Sequence, residues 1–321
     1  MKTGVLDTRA YIAYSVVCIV WGSTYLAIRI GVSDLPPALF AGVRFIIAGS
    51  LMLAYVKLKG LEMPRTLKDI RIIATVGLFL LFGGNGLVVW SEQFIASGLT
   101  ALIISTVPLF VALLDLIFPG GTRMNWKGWT GLLIGFGGVG VLVLPGTGLH
   151  EVDLKGVIGV LAGAFLWASG SLYSSRNSVS GSMLSISALE MLAAGTALCL
   201  TGLAAGEAPL FHLTVKGAGA LLYLIFFGSI IGFSCFVYII KAMPPAKAST
   251  YSYINPVVAI FLGWLVLNES VSLRDIAGAF IILTGVVLVQ TARFGQSGAG
   301  PMDKDGPERT ALSPADSGKT I

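Results

Sequence analysis

Ten stretches of about twenty predominantly apolar residues follow one another along this chain, and that length is what a helix needs to cross the hydrocarbon core of a bilayer. They read as Tyr11–Gly31, Pro37–Val56, Ile70–Trp90, Ser97–Phe118, Trp126–Leu144, Gly156–Ser175, Ser182–Ala204, Gly217–Ile240, Ala246–Leu267 and Asp275–Thr291. Only 12% of the 321 residues are charged while 55% are hydrophobic, and a soluble chain carries roughly a quarter charged residues. So few charges cannot cover a water-facing surface, which predicts an all-α integral membrane protein. The first run ends in Arg29 with no A-x-A-like site after it, so it is expected to be a retained helix and not a signal peptide.

The 21 Lys and Arg residues are distributed unevenly when the connections are numbered alternately. Arg29, Lys155, Lys216 and Arg274 fall on one side, Arg44 lies within a span, and all the others collect on the side of the amino terminus. Positive residues concentrate in cytoplasmic loops, so both termini are expected in the cytoplasm, with an even number of helices. The basic residues sit in short loops without aromatic interleaving, which argues against nucleic acid as a partner. Residues 296–321 are rich in Gly, Ser, Pro, Asp and Lys, a composition expected of a disordered tail. Cys18, Cys199 and Cys235 each lie within an apolar run and carry no CxxC spacing, so they read as small core residues.

The chain repeats itself. LIISTVPLFVALL followed by GWTGLLIGFGGVGVLVLP in the first half matches TYSYINPVVAIFL followed by DIAGAFIILTGVVLVQ in the second. Pro108 aligns with Pro256, Gly131 with Gly278, Gly138 with Gly285, Trp21 with Trp167 and Arg44 with Glu190. Residues 1–145 and 146–295 are therefore expected to be two five-helix units. Because five is odd, the second unit enters the membrane from the opposite side. The two are then related by a pseudo-two-fold axis in the membrane plane, as in secondary transporters that bind substrate near the midplane between inverted repeats.

The segments VWGSTYLAIRIG, PPALFAGVRFIIAG, SGLTALIISTVPLF, ASTYSYINPVVAIFLGWLVLNE and GAFIILTGVVLV together resemble the EamA-type permeases of the drug/metabolite transporter superfamily. The resemblance runs from Tyr11 to Ala292 and rests on the order and spacing of these segments. It implies ten helices in two EamA-like repeats and a bacterial inner-membrane carrier, often an exporter of amino acids or other metabolites. It does not name a substrate.

Charges within spans are expensive and tend to mark pathways or paired sites. Arg44 and Glu190 both fall near the midplane, on opposite sides of it, if each residue of helix rises roughly 1.5 Å. They either pair or each line one side of a cavity. Glu190 is the deepest carboxylate, and so the one a proton-coupled carrier would use. Pro108 and Pro256 remove backbone donors and free carbonyls within helices four and nine. The neighbouring Ser105, Tyr253 and Asn255 either satisfy those carbonyls, bind substrate, or simply accompany a kink. Asn85, among three glycines of helix three, either bonds across a cavity or bridges two helices. Trp21, Tyr25, Trp167 and Tyr173 form either apolar cavity walls or an interfacial belt.

Gly135–Gly140 fits GxGxxG but lies inside a predicted span with no preceding strand, so it lacks the context of a dinucleotide site. Gly131/Gly135, Gly159/Gly163 and Gly228/Gly232 fit small-xxx-small helix packing. His150 and His212 lack metal-ligand spacing, and no catalytic triad, metal set or cofactor motif is visible. The expectation is a non-enzymatic secondary carrier taking a small-molecule substrate in the lipid bilayer, its oligomeric state open. Without an ATP-binding motif it would use an ion or substrate gradient, or a separate ATPase. An intramembrane enzyme acting on lipid-linked substrates and a facilitative channel are the alternatives.

Overall fold

The computed structural model describes residues 8–117, 124–143, 153–243 and 250–297. The boundary at 145/146, His150 and the tail from residue 298 onward lie outside them.

Ten apolar helices cross in sequence: α1 (Thr8–Val32), α2 (Pro37–Leu58), α3 (Leu67–Ser91), α4 (Ser97–Ile117), α5 (Trp126–Val143), α6 (Leu154–Arg176), α7 (Met183–Ala204), α8 (Val215–Tyr223, Leu224–Ile231 and Gly232–Ala242 end to end), α9 (Tyr251–Leu267) and α10 (Leu273–Ser297). Nine of those described are long and apolar enough to span a bilayer, and α9, at 17 described residues, is a shorter apolar helix. There is no strand among the described residues. Leu133 and Phe280, on α5 and α10, are 76% and 74% exposed. A large apolar patch of that kind is stable only against lipid or another protein.

The helices begin where polar side chains satisfy the amide groups that a first turn leaves unbonded. Thr66 and Asp69 form a capping box on α3, and Ser182, Thr214 and Asp153 cap α7, α8 and α6. Two caps come from distant loops. Glu207 accepts from Leu39 N (2.8 Å) on α2, and Glu269 accepts from Ser97 N (2.9 Å) on α4.

Packing follows the repeat. Helices α2 and α7 lie along one another, as do α5 and α10; α1 packs on α8 and α9, α6 packs on α3 and α4, and α2 flanks α8 as α7 flanks α3. Exchanging each helix with the one five positions away leaves this set unchanged. That is the signature of two inverted five-helix repeats about a pseudo-two-fold axis. The self-paired crossings are built on glycine, which lets backbones approach where the bilayer supplies no hydrophobic drive. A Cβ on Gly131 would lie 2.8 Å from the Gly285 carbonyl, and one on Gly195 3.0 Å from the Gly42 carbonyl. Gly163 likewise meets the Gly84 carbonyl at 2.9 Å, so this small-xxx-small stripe joins α6 to α3.

Three features separate the helices from simple rods. Within α3, residues Leu78–Asn85 form a π-helix, and within α8 Leu224–Ile231 do the same. The two eight-residue segments are 146 positions apart, the same offset that relates Trp21 to Trp167, Arg44 to Glu190, and the left-handed glycines Gly60 (φ 60°) and Gly206 (φ 76°) that end α2 and α7. The third is a break in α4 at Ser105–Thr106, between Ser97–Ile104 and Val107–Ile117. Its cause is Pro108, which has no N–H for the Ile104 carbonyl. The Ser105 and Thr106 hydroxyls fold back on the Leu102 and Ile103 carbonyls at 2.6 Å each, local bonding that competes with the helix. Pro256, by contrast, sits inside a continuous α9.

Candidate functional site

The features that break the regular helix converge on one cavity of about 250 Å³ between the two halves. Both prolines line it, together with Ile104 and Ser252, the residues one turn before them, to which a proline can return no backbone N–H. The π-segments contribute Leu81 and Asn85 from α3 and Gly228 from α8. A π-turn widens the helix and misaligns its carbonyls, which is why such segments gather at functional sites.

Of the residues singled out by sequence, Trp21, Tyr25, Arg44, Asn85, Ser105, Trp167 and Asn255 line this cavity. Trp21 is fixed by donating its indole N–H to the Gly228 carbonyl (3.2 Å) and by packing edge-on to Phe233 and Tyr251. Asn255, with its amide nitrogen turned inward to α1, donates to the carbonyls of Cys18 (3.2 Å) and Tyr251 (3.1 Å). It therefore ties α9 to α1 at the cavity edge. Arg44 is buried, with its guanidinium 4.8 Å from the Phe45 ring centroid and its Nε donating to Ser229 Oγ (3.1 Å) in the α8 π-segment.

The other three lie elsewhere. Tyr173 is 38% exposed near the end of α6 and is not part of the wall. It stands six residues from Trp167, and six residues of helix do not return to the same face. Tyr253 lies behind the wall, donating its hydroxyl to Gln290, which does line the cavity. Positions two apart do not share a helix face, so Tyr253 and Asn255 cannot both point inward. Glu190 is buried but outside the cavity. Its backbone packs on Gly77 of α3, where a Cβ would meet the Glu190 carbonyl at 2.6 Å. Arg44 flanks α8 and Glu190 flanks α3, as the two-fold requires, and they form no ion pair. An ion pair that joins the halves among the described residues is exposed Arg176 to buried Asp115, at 2.8 Å between the ends of α6 and α4.

Sequence reading missed Thr24, Phe233, Tyr251, Ser252 and Gln290, all of which line the cavity. A signal existed for three of them. Thr24 is i+3 from Trp21, and Tyr251 and Ser252 are one turn before Asn255 and Pro256, spacings that share a face. No group of His, Cys, Asp and Glu that could hold a metal occurs among the described residues.

A second cavity, of about 1030 Å³, opens at the end of the bundle away from Thr8, lined by charged groups that include Arg29, Lys216 and Glu269. The partition between the two is thin. On α1, Ile28 faces the inner cavity and Arg29 the outer; on α4, Ala101 faces the inner and Leu102 the outer. Glu92 lies fully buried beside this partition, and Arg29 donates to its main-chain carbonyl.

A family model described as the EamA-like transporter family matches residues 8–144 and again 154–291. The chain belongs to the EamA-like transporter family. It is a multi-pass membrane transporter. Among relatives of this EamA-like transporter, YedA of Escherichia coli (strain K12), named as an uncharacterized inner membrane transporter, is 39% identical over 277 residues, covering 86% of this chain and 89% of YedA. A protein of the same strain named as a probable amino-acid metabolite efflux pump is 24% identical over 281 residues, covering 85% and 91%. A solved crystal structure superposes with a TM-score of 0.60 at 20% identity, covering 90% of this chain and 99% of that one, so the fold is shared along nearly its whole length.

Proposed function

We propose that this EamA-like transporter is a secondary carrier that exports amino acids or related small metabolites across the inner membrane by alternating access, with both termini in the cytoplasm. The observation that carries the reading is the central cavity at the junction of the inverted repeats, walled by proline-containing and π-helical segments from both halves. At about 250 Å³ it is slightly below the roughly 300–1,000 Å³ typical of ligand pockets, which suits a small metabolite better than a lipid-linked one. The thin partition toward the outer cavity supports a closed gate on that side. The relative named as a probable amino-acid metabolite efflux pump supports the substrate class, and the skew of positive residues supports the orientation.

Counterflow tests this. Purified protein is reconstituted in liposomes loaded with the proteinogenic L-amino acids, and a trace of the same mixture in isotope-labelled form is added outside. A carrier makes at least one labelled amino acid accumulate transiently above its equilibrium level. A channel gives only monotonic equilibration, and absence of protein-dependent flux for every amino acid contradicts the substrate class.

A further inference from the structure

Two buried polar atoms of the central cavity have no partner among the described residues: Arg44 Nη1, a donor, and Asn85 Oδ1, an acceptor. Both residues line the same cavity, and they do not satisfy one another. Arg44 is only 4% exposed and has no acidic partner among the described residues. Its contacts are one neutral hydroxyl, Ser229, and the face of Phe45. A buried cation without a counter-charge is costly in the membrane interior. Glu190, which the repeat sets at the equivalent position, packs away on α3 and cannot serve. The cavity thus holds a guanidinium fork whose Nη1 is unpaired and an amide oxygen that is unpaired, with apolar and aromatic side chains beside them, among them Trp21, Tyr25, Leu81 and Trp167. A fork of that kind matches a carboxylate bidentately, and an amide oxygen accepts from an ammonium.

We infer that Arg44 and Asn85 bind the two ends of a zwitterionic α-amino acid, the carboxylate on Arg44 and the ammonium on Asn85, with the side chain against the aromatic walls. The inference rests on the carrier reading and specifies its recognition. The missing counter-charge of Arg44 then arrives with the cargo.

The test compares three mixtures in proteoliposomes of the full chain: the proteinogenic L-amino acids, their primary amides, which lack the carboxylate, and the corresponding deaminated acids, which lack the ammonium. Wild type should move amino acids roughly tenfold or more faster than amides, the scale of one lost charged hydrogen bond. Arg44→Gln should lose amino-acid transport to a similar degree while melting at or above the wild-type temperature, because it removes an uncompensated buried charge. Arg44→Lys, which keeps the charge and loses the fork, should fall between. Asn85→Leu should narrow the gap between amino acids and deaminated acids. Equal transport of amides and amino acids by wild type overturns the inference and leaves the carrier reading standing, as does undiminished transport by Arg44→Gln. A Gln variant that melts well below wild type but keeps its preference for amino acids shows a structural arginine and also overturns it. If folded wild type moves none of the three mixtures, the carrier reading for this substrate class fails with it.

Discussion

Gly285→Leu is expected to abolish recovery of folded protein, while Gly137→Leu on the facing helix leaves it near wild type. At Gly285 an added Cβ would meet main-chain atoms of Gly135 and, at 2.6 Å, the carbonyl of Gly131. Main chain cannot rotate aside as a side chain can, so α5 and α10 would have to separate along their whole crossing. The cost should exceed the about 1–3 kcal/mol usual for overpacking a core, because the close glycine approach is itself what holds such helices together in lipid. Gly137 has nothing within 4 Å of its would-be Cβ and lies on the exposed side of α5. The pair separates an effect of the crossing from an effect of losing any glycine in a span. Monodisperse yield on size exclusion after detergent extraction reads it out; comparable yields for the two variants would mean that the crossing is not tight.

Val107→Trp is expected to lower transport about tenfold or more, with folded yield kept, if the central cavity is the route. Val107 lines the cavity and is half-buried, at the start of the second segment of α4. It therefore has room on one side, and an indole there occupies much of a space of about 250 Å³. The helix tolerates Trp at small cost. Amino-acid flux in proteoliposomes measures the effect. A folded Val107→Trp protein with wild-type flux would place the route elsewhere in the bundle.

Much of the architecture was legible because the bilayer permits so few solutions. Run length alone placed the ten helices, and the shared STVPLF and YINPVV segments marked the inverted repeat. The boundaries moved outward where caps such as Thr214 and Ser272 extend the helices beyond their apolar runs. The π-segments were not legible: LFLLFGGN and LIFFGSII have the composition of ordinary spans, and only the backbone bonding shows the extra residue per turn. The break at Ser105–Thr106 was half legible, since Pro108 announces a lost hydrogen bond but not which side of it gives way. Residues singled out by type fall off the cavity wall where helical phase was set aside. Tyr173 and Tyr253 each stand on a face turned from a cavity residue on the same helix. Glu190 was singled out for its charge, while its placement follows from the symmetry that carries Arg44 to α8 and Glu190 to α3.

The inverted arrangement is tested most directly by labelling two equivalent surface positions. In a variant with Cys18, Cys199 and Cys235 replaced, Glu62→Cys and Ala208→Cys each place one thiol in an exposed connection, after α2 and after α7, at the 146-residue offset of the repeat. A membrane-impermeant maleimide added outside intact spheroplasts should label Ala208→Cys and spare Glu62→Cys until the membrane is opened, so that the two copies face opposite sides and the basic connection faces the cytoplasm. Labelling of both thiols from the same side would contradict two oppositely inserted halves around one cavity.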